Sequence, residues 1–258
     1  MIFNFFKKQK KNTSNHPSNI LIPNADFKAI ESYKAIRTNI DHLLKGASTQ
    51  TILVTSPYAA AGKTTTSANL SIAFAQLGKK VLLIDCDMRK PSIHKLFSLH
   101  VSPGLSDVLT GKEDLGVIKE SIYENLSVLT AGTIPENPSE LLHSKCFKDL
   151  LVTLSDKYDT IFIDAPPVDA VTDAVIISQQ VSGTVLVIRQ NSTEKEALVR
   201  TVHALNTVNA NILGYVLNAV DYEKFSYRYG HYTTKYSKKY SSYYYYTSDI
   251  FKSEDEEK

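Results

Sequence analysis

Apolar and β-branched residues recur along the chain in short runs that polar or glycine-containing turns separate. Six such runs predict β-strands, at 51–56, 80–87, 126–132, 159–167, 183–190 and 212–220. These runs lack a clean alternation of apolar and polar residues, as expected for strands that are buried on both faces of a parallel sheet. Apolar residues three and four positions apart predict helices at 27–44 and 64–77. The alternation of strands and helices indicates an α/β fold with a doubly wound, mainly parallel sheet between layers of helices.

A further helix is predicted to begin at the stretch "NPSELL". Asn137 can cap it, Pro138 suits the first helical position, and Glu140 can reach back toward the cap.

Composition divides the chain into three parts. Residues 1–24 are rich in Lys, Asn and Ser and predict a flexible basic leader, whereas 25–220 carry the strand and helix patterns of the folded domain. Residues 221–258 combine ten tyrosines with Ser and Lys and close on "EDEEK". Because such a segment has too little aliphatic surface to offset its ordering entropy, it is predicted to be disordered.

The bulk composition narrows the possible partners and the compartment. With 258 residues, 43% of them hydrophobic, the chain can bury a large core. A net charge of +2 argues against a general nucleic-acid binder, which would have a strongly basic face. No apolar run approaches the ~20 residues that a membrane helix needs. We therefore expect a soluble, cytoplasmic protein without a nucleic-acid partner.

The stretch "SPYAAAGKTTTS" follows the first predicted strand of the domain and opens a predicted helix. Its Gly-Lys-Thr ending is typical of a phosphate-binding loop, and a helix N-terminus favours phosphate. Lys63 is placed to reach the β- and γ-phosphates of a nucleotide, and the Thr64 hydroxyl to bind Mg²⁺. The nucleotide-binding residues predicted here are Ala60, Ala61, Gly62, Lys63, Thr64 and Thr65. We call residues 56–64 the phosphate loop.

Alanines replace glycines in this loop. Alanine keeps every backbone N–H donor, so the phosphate cradle remains chemically complete. If Ala60 needs a positive φ, however, the conformation costs about 1 kcal/mol or more, which would weaken nucleotide binding without abolishing it.

Three carboxylates follow two apolar strands of the predicted sheet. Asp85 and Asp87 end one strand and Asp164 ends another, at the edge where open α/β sheets place their ligands. Each aspartate alone would be explained as a helix cap or a turn residue. Together with Gly-Lys-Thr they predict a Mg²⁺ site, because hard oxygen ligands suit that ion. For Arg89, the sequence favours phosphate neutralisation and a solvated turn equally.

The phosphate loop, "LLIDCDMRKP" and "IFIDAPPVDAVTDA" together resemble the bacterial tyrosine kinases, the cytoplasmic CapB and CpsD type of capsule and exopolysaccharide production. The resemblance covers roughly residues 27–246. It implies a P-loop NTPase fold, ATP and Mg²⁺ as cofactors, and catalytic roles for Lys63, Asp85, Asp87 and Asp164. It also implies Mg²⁺ ligation by Thr64 and those aspartates. Asn218, at the end of the last strand, is a further candidate for nucleotide contact.

The resemblance also implies an assembly. A helix motif that builds a ring-shaped oligomer in this family corresponds to Glu31, Lys34 and Arg37, where lysine replaces a family arginine. From the residues alone, these three would form an ordinary solvated helix face. The implied partner is a membrane activator of the polysaccharide co-polymerase type, acting through its cytoplasmic segment. A phosphotyrosine phosphatase that resets the tail is a further expected partner. The implied location is the inner face of the membrane.

The tyrosines of the tail are the predicted phosphoacceptors, modified in trans by a neighbouring protomer. They are Tyr222, Tyr227, Tyr229, Tyr232, Tyr236, Tyr240, Tyr243, Tyr244, Tyr245 and Tyr246. Two alternatives remain open: a regulatory ATPase switch of the ParA and MinD kind, and a catalytically weak scaffold that displays tyrosines. The ATPase alternative is disfavoured by Tyr58, which stands where those switches carry a lysine.

Overall fold

The computed structural model describes residues 2–5, 27–46 and 49–220. The ten tail tyrosines and most of the predicted leader lie outside the described residues. The tail, and the leader beyond residue 5, therefore remain predictions.

The centre of the fold is one eight-stranded sheet. Its strands are β1 (Ile2–Phe5), β2 (Gln50–Thr55), β3 (Val81–Asp85), β4 (Lys119–Glu120), β5 (Leu126–Leu129), β6 (Thr160–Asp164), β7 (Gly183–Arg189) and β8 (Ile212–Asn218). Their spatial order is β1-β8-β7-β2-β6-β3-β5-β4. Every neighbouring pair of the described sheet is parallel except β4 and β5. The predicted doubly wound α/β fold is confirmed, and each of the six predicted strands is present.

Helices cover both faces of the sheet. They are α1 (Phe27–Leu43), α2 (Lys63–Ala75), α3 (Ile93–Leu96), α4 (Leu105–Leu109), α5 (Pro138–His143), α6 (Lys145–Ser155), α7 (Asp173–Ser178) and α8 (Lys195–Thr207), with a 3₁₀ turn at Leu115–Val117. Within the described ranges, none of these helices is both long and apolar enough to cross a bilayer. The predicted side-chain cap at Asn137 is wrong: its φ of −126° and ψ of 76° lie outside the usual cap geometry, and its side chain makes no capping bond.

The first strand falls inside the range predicted as a leader. Residues Ile2–Phe5 pair in parallel with Tyr215–Asn218 of β8, where they form an edge strand. Backbone pairing of this kind does not require a long apolar run, so the hydrophobic pattern alone does not predict it.

The core lies in two layers, one on each face of the sheet. Ile52 and Val54 of β2 pack toward α1 and α2, while Leu53 packs toward the layer that holds α5, α6 and α7. On the first face, the rings of Phe74 and Phe162 meet edge to face with centroids 5.2 Å apart. Because successive strand residues point to opposite faces, a strand buried on both sides carries consecutive apolar residues, as Ile52–Val54 do at the centre of β2.

A loop network next to α4 is held by one buried carboxylate. Asp107 accepts hydrogen bonds from the backbone N–H groups of Gly104 (2.9 Å) and Thr133 (3.0 Å), and from the Ser102 hydroxyl (3.4 Å). Burial would raise the pKa of Asp107, but the bonds from Thr133, Gly104 and Ser102 outweigh it and lower that pKa below its ordinary value.

Asp107→Asn is therefore expected to lower the free energy of unfolding by about 1–3 kcal/mol at pH 7, because buried donors lose a charged acceptor. A depressed folded pKa contributes stability that is present above the unfolded value of about 3.9 and is lost as pH falls through the folded value. The difference in the free energy of unfolding between the wild type and Asp107→Asn, measured by urea unfolding, should therefore become smaller below about pH 4.

Asp149→Asn is the matched control, since that side chain is 60% exposed. It should change stability by less than about 0.5 kcal/mol at either pH. A loss of unfolding free energy in Asp107→Asn that does not change with pH would contradict this role for the Asp107 carboxylate.

Candidate active site

The phosphate loop connects the end of β2 to the start of α2. Gly62 precedes the helix with a φ of 97°, a conformation that favours glycine. A Cβ at this position would lie 2.0 Å from the amide nitrogen of Asn218, so a side chain would also collide. No side chain caps the first turn of α2. Its leading N–H groups are therefore free of the side-chain acceptor that would compete with a phosphate.

Ala60 adopts the left-handed backbone conformation that was expected from the sequence to be costly for an alanine. Its φ is 60°, a region that costs an alanine about 1–2 kcal/mol. Other side chains hold the same loop in place. The Ser56 hydroxyl donates to the carbonyl oxygen of Tyr58 at 2.7 Å, and Arg200 links the Tyr58 hydroxyl (3.1 Å) to Asp169 (2.8 Å).

Lys63 lies between two of the predicted carboxylates. Its ammonium nitrogen is 3.0 Å from Oδ2 of Asp87 and 3.5 Å from Oδ2 of Asp164. Burial alone would lower the pKa of Lys63, but the carboxylates of Asp164 and Asp87 raise it above the ordinary value. Lys63 therefore carries its full positive charge at the start of α2.

Asp85 and Asp164 are direct partners in the register of β3 and β6, and both are fully buried. Asp85 accepts bonds from the backbone N–H groups of Asp87 (3.2 Å), Ser92 (3.0 Å) and Ile93 (3.0 Å). Burial and then the Asp164 charge nevertheless raise the pKa of Asp85 to about 7. Burial likewise raises the pKa of Asp164, against the opposing effect of Lys63 and two hydroxyls. The cluster is a buried concentration of negative charge.

Hydroxyl groups complete this cluster. Thr64 donates to Oδ2 of Asp164 at 2.7 Å, and Ser67 donates to Oδ1 of the same residue at 3.0 Å. The Ser92 hydroxyl lies 3.2 Å from that of Thr64. Thr65 occupies the first turn of α2. Sequence reasoning missed Ser67 and Ser92; Ser67 falls one helical turn after Lys63, which is the signal that could have indicated it.

The donor set fits a hard divalent cation. Among the described residues, no group of three or more His, Cys, Asp and Glu side chains is arranged to hold a metal by itself. Mg²⁺ does not require such a cage, because it keeps several waters and is bound through one or two carboxylates together with substrate phosphates. Thr64, Asp85, Asp87 and Asp164 supply hydroxyl and carboxylate oxygens of that kind beside the phosphate loop.

Arg89 has a structural partner. Its guanidinium donates to Asp173 at 3.1 Å and to the Ser139 hydroxyl at 3.0 Å. Asp173 is fully buried, so this ion pair ties the loop after β3 to α5 and α7. The sequence predicted either phosphate neutralisation or a solvated turn for Arg89. It did not predict the pair with Asp173, because nothing in the spacing of residues 89 and 173 indicates that pair.

Asn218, at the end of β8, lies against the phosphate loop. Its amide nitrogen donates to the carbonyl oxygen of Ala61 at 2.9 Å, and its amide oxygen accepts from the N–H of Ala219 at 2.7 Å.

The predicted oligomer residues lie on α1, away from this cluster. Lys34 and Glu31 form an ion pair of 2.8 Å, with side chains 44% and 42% exposed. Arg37 instead donates to the carbonyl oxygen of Ala73 at 2.6 Å, near the end of α2. Two of the three side chains are therefore partly available at the surface, while Arg37 joins α1 to α2.

Comparison with known families identifies the class of protein to which this architecture belongs. Residues 49–213 match the family described as an AAA domain, and that stretch contains the phosphate loop and all three aspartates. The fold and site together define a P-loop NTPase with an AAA domain.

Over 206 residues the chain is 43% identical to the tyrosine-protein kinase YwqD of Bacillus subtilis (strain 168), covering 80% of this chain and 86% of that protein. It superposes on the kinase domain of the Escherichia coli tyrosine kinase ETK with a TM-score of 0.77 and 29% identity, over 85% of this chain and 89% of that one. The chain belongs to the bacterial tyrosine-protein kinase family, as its motifs indicated.

A more distant likeness is to the septum site-determining protein MinD of Pyrococcus horikoshii OT3, complexed with Mg-ADP. The TM-score is 0.57 at 28% identity, over 66% of this chain and 70% of that one. The fold is thus shared with a septum site-determining protein that binds Mg-ADP.

Ala60→Gly is expected to tighten ATP binding by up to about fivefold, which corresponds to about 1 kcal/mol. Alanine favours relaxed loop conformers over the left-handed one, so glycine should raise the fraction of protein that is ready to bind. Isothermal titration with ATP measures the effect.

The matched control is Ala59→Gly, because Ala59 does not have a positive φ. It should leave affinity unchanged or weaken it, since glycine only adds flexibility there. A raised melting temperature of Ala60→Gly with unchanged affinity would show that the loop is already fully formed without nucleotide.

Proposed function

We propose that the protein is an ATP-dependent tyrosine kinase that phosphorylates the tyrosine cluster of its own tail in trans. The observation that carries this proposal is the position of Lys63 at the start of α2, between Asp87 and Asp164 and beside the strained phosphate loop. A cation flanked by carboxylates at a helix N-terminus can hold phosphate groups and receive the charge that moves during phosphoryl transfer.

Each group of the site has a role in this chemistry. Lys63 binds the phosphates and exchanges its carboxylate partners for them, and the first N–H groups of α2 orient those phosphates. The chemistry that Mg²⁺ supplies is charge neutralisation on the phosphates, and Thr64, Asp85, Asp87 and Asp164 would hold it. A tyrosine hydroxyl has a pKa near 10 and must lose its proton. A carboxylate of the Asp85 and Asp87 pair accepts that proton.

The tail is a suitable substrate for such a site. Ten tyrosines lie within residues 221–246, among serines and lysines that form no apolar core pattern. The chain leaves the sheet at Asn218, whose side chain contacts the phosphate loop. The tyrosine-rich sequence therefore follows directly on a strand that ends at the candidate active site.

Phosphorylation in trans requires an assembly. We propose that Glu31, Lys34 and Arg37 contribute to the interface of a homo-oligomer, built as a ring. A tail reaches a neighbouring site more easily than it folds back into its own. Each added phosphate brings roughly −1.5 to −2 charges, so a heavily modified tail near the acidic end of the chain would repel its neighbours and loosen the assembly.

The proposal includes partners outside this chain. A membrane activator, acting through its cytoplasmic segment, would place the kinase at the inner face of the membrane and control capsule or exopolysaccharide production. A phosphotyrosine phosphatase would reset the tail. The relationship to named tyrosine kinases supports this part of the proposal.

Mixing two variants tests transfer in trans. One protomer carries Lys63→Met with an intact tail, and the other carries an intact site with all ten tail tyrosines changed to phenylalanine. With ATP·Mg²⁺ and the activator segment, phosphotyrosine should appear on the Lys63→Met chain only after mixing. Loss of Lys63 should reduce the transfer rate of its own site by at least about 10³-fold, because charge stabilisation is the main catalytic contribution in this chemistry.

Three further results of this experiment would each have a distinct meaning. Phosphate release without phosphotyrosine would favour the regulatory ATPase, whose fold this chain shares with MinD. Phosphotyrosine on the wild type but none on the mixed Lys63→Met chain would mean that the reaction is intramolecular. No turnover of any kind would favour the scaffold.

Reversing one charge tests the proposed interface. Glu31→Lys should weaken self-association by about tenfold, equivalent to about 1.4 kcal/mol, through like-charge contacts. Light scattering across a concentration series measures the assembly. Asp149→Lys is the matched control, because Asp149 also forms an ion pair at the helix surface, with Lys145 at 2.6 Å on α6. Equal effects of the two reversals would contradict an interface on α1.

A further inference from the structure

Two side chains from neighbouring strands donate to consecutive carbonyl groups of the phosphate loop. Nη1 of Arg189, the last residue of β7, lies 3.0 Å from the carbonyl oxygen of Ala60. Nδ2 of Asn218, the last residue of β8, lies 2.9 Å from that of Ala61. We call this pair of side chains the loop clamp.

The clamp acts on the part of the loop where the backbone is strained. Ala60 has the left-handed φ of 60°, which an alanine leaves readily when nothing holds it. In a trans peptide unit the carbonyl oxygen and the following N–H point in opposite directions. Fixing the carbonyls of Ala60 and Ala61 therefore turns the N–H groups of Ala61 and Gly62 away from the clamp, toward the opposite side of the loop.

The two clamp residues are themselves held in place. The amide oxygen of Asn218 accepts from the N–H of Ala219 at 2.7 Å, which leaves the amide nitrogen facing the loop. The carbonyl of Asn218 accepts from the N–H of Gln190 at 2.9 Å, so the ends of β7 and β8 are joined just where both side chains originate. The absence of a side chain at Gly62 makes room for the Asn218 amide.

We propose that Arg189 and Asn218 are positioning residues for nucleotide binding, which hold the alanine-bearing phosphate loop in the conformation that presents its N–H groups to phosphate. The clamp compensates for the missing loop glycines. It acts through the backbone of Ala60 and Ala61, and not by touching the reacting atoms. This inference rests on the nucleotide binding proposed above.

Arg189 offers the sharper test because its side chain lies at the surface, where a substitution disturbs the core little. Arg189→Gln should weaken binding of ADP, measured by isothermal titration, by about fivefold to tenfold, since one charged donor to the loop is lost. The KM for ATP should rise by a similar factor, while kcat should change less than about twofold. The reason is that the clamp supports binding of the bound substrate and of the transition state equally. Arg189→Lys keeps one donor and should recover part of the affinity.

A charge-matched control and a double variant distinguish the clamp from a general effect of positive charge on nucleotide binding. Lys195→Gln removes a positive charge from an exposed residue a short way along the chain and should leave ADP affinity unchanged. Ala60→Gly relieves the strain that the clamp opposes, so Arg189→Gln should cost less affinity in that background than in the wild type. Circular dichroism melting confirms that each variant is folded.

Three results would overturn the inference. The first is an ADP affinity equal to that of the wild type in both Arg189→Gln and Arg189→Lys. The second is a loss of ADP affinity in Lys195→Gln as large as that in Arg189→Gln, which would indicate a general charge effect. The third is an undiminished effect of Arg189→Gln in the Ala60→Gly background. Failure of the wild-type protein to bind ADP would overturn the proposed function itself, which distinguishes the two.

Discussion

The structure depends on burying three carboxylates around one ammonium group. Asp85 and Asp164 are fully buried and Asp87 nearly so, and Lys63 contacts two of them. Isolated buried carboxylates are costly, and they become tolerable when charged partners and backbone donors surround them. The backbone N–H groups that Asp85 accepts from, and the hydroxyls that donate to Asp164, provide part of that compensation. One ammonium against three carboxylates leaves the cluster suited to an added cation.

The sheet order creates this cluster. β6 lies between β2 and β3, so the phosphate loop after β2 and the aspartates that end β3 and β6 arrive at one edge. The direct pairing of Asp85 with Asp164 follows from the parallel register of β3 and β6. The Arg89 and Asp173 pair then fastens the loop after β3 to α5 and α7. A nucleotide site in such a fold is therefore a property of strand neighbours that are distant in sequence.

The phosphate loop shows how a fold accommodates an unfavourable residue. Ala60 holds a conformation that glycine would adopt without strain, and the surrounding chain restrains it from two sides. Arg200 and Asp169 hold Tyr58, while Arg189 and Asn218 hold the next carbonyls of the loop. Strain of this kind persists at functional sites only where neighbouring structure determines the backbone, and β7 and β8 provide that structure here.

Apolar periodicity, strand-end positions and the Gly-Lys-Thr motif are local properties of a chain. The first predicted the α/β class and the six main strands, the second predicted Asp85, Asp87 and Asp164 as site residues, and the motif predicted Lys63 and Thr64. Local pattern could not indicate Ser67, Ser92 or Asp173 as partners, nor the loop contacts of Arg189. Those contacts join residues up to 129 positions apart, and they exist only after the strand order and the loop paths are set. Three features were decided by the folded chain: which strand ends meet, how Lys63 is shared between two carboxylates, and the left-handed φ of Ala60. Each of them is fixed by neighbours that are remote in sequence, so no local pattern could contain it.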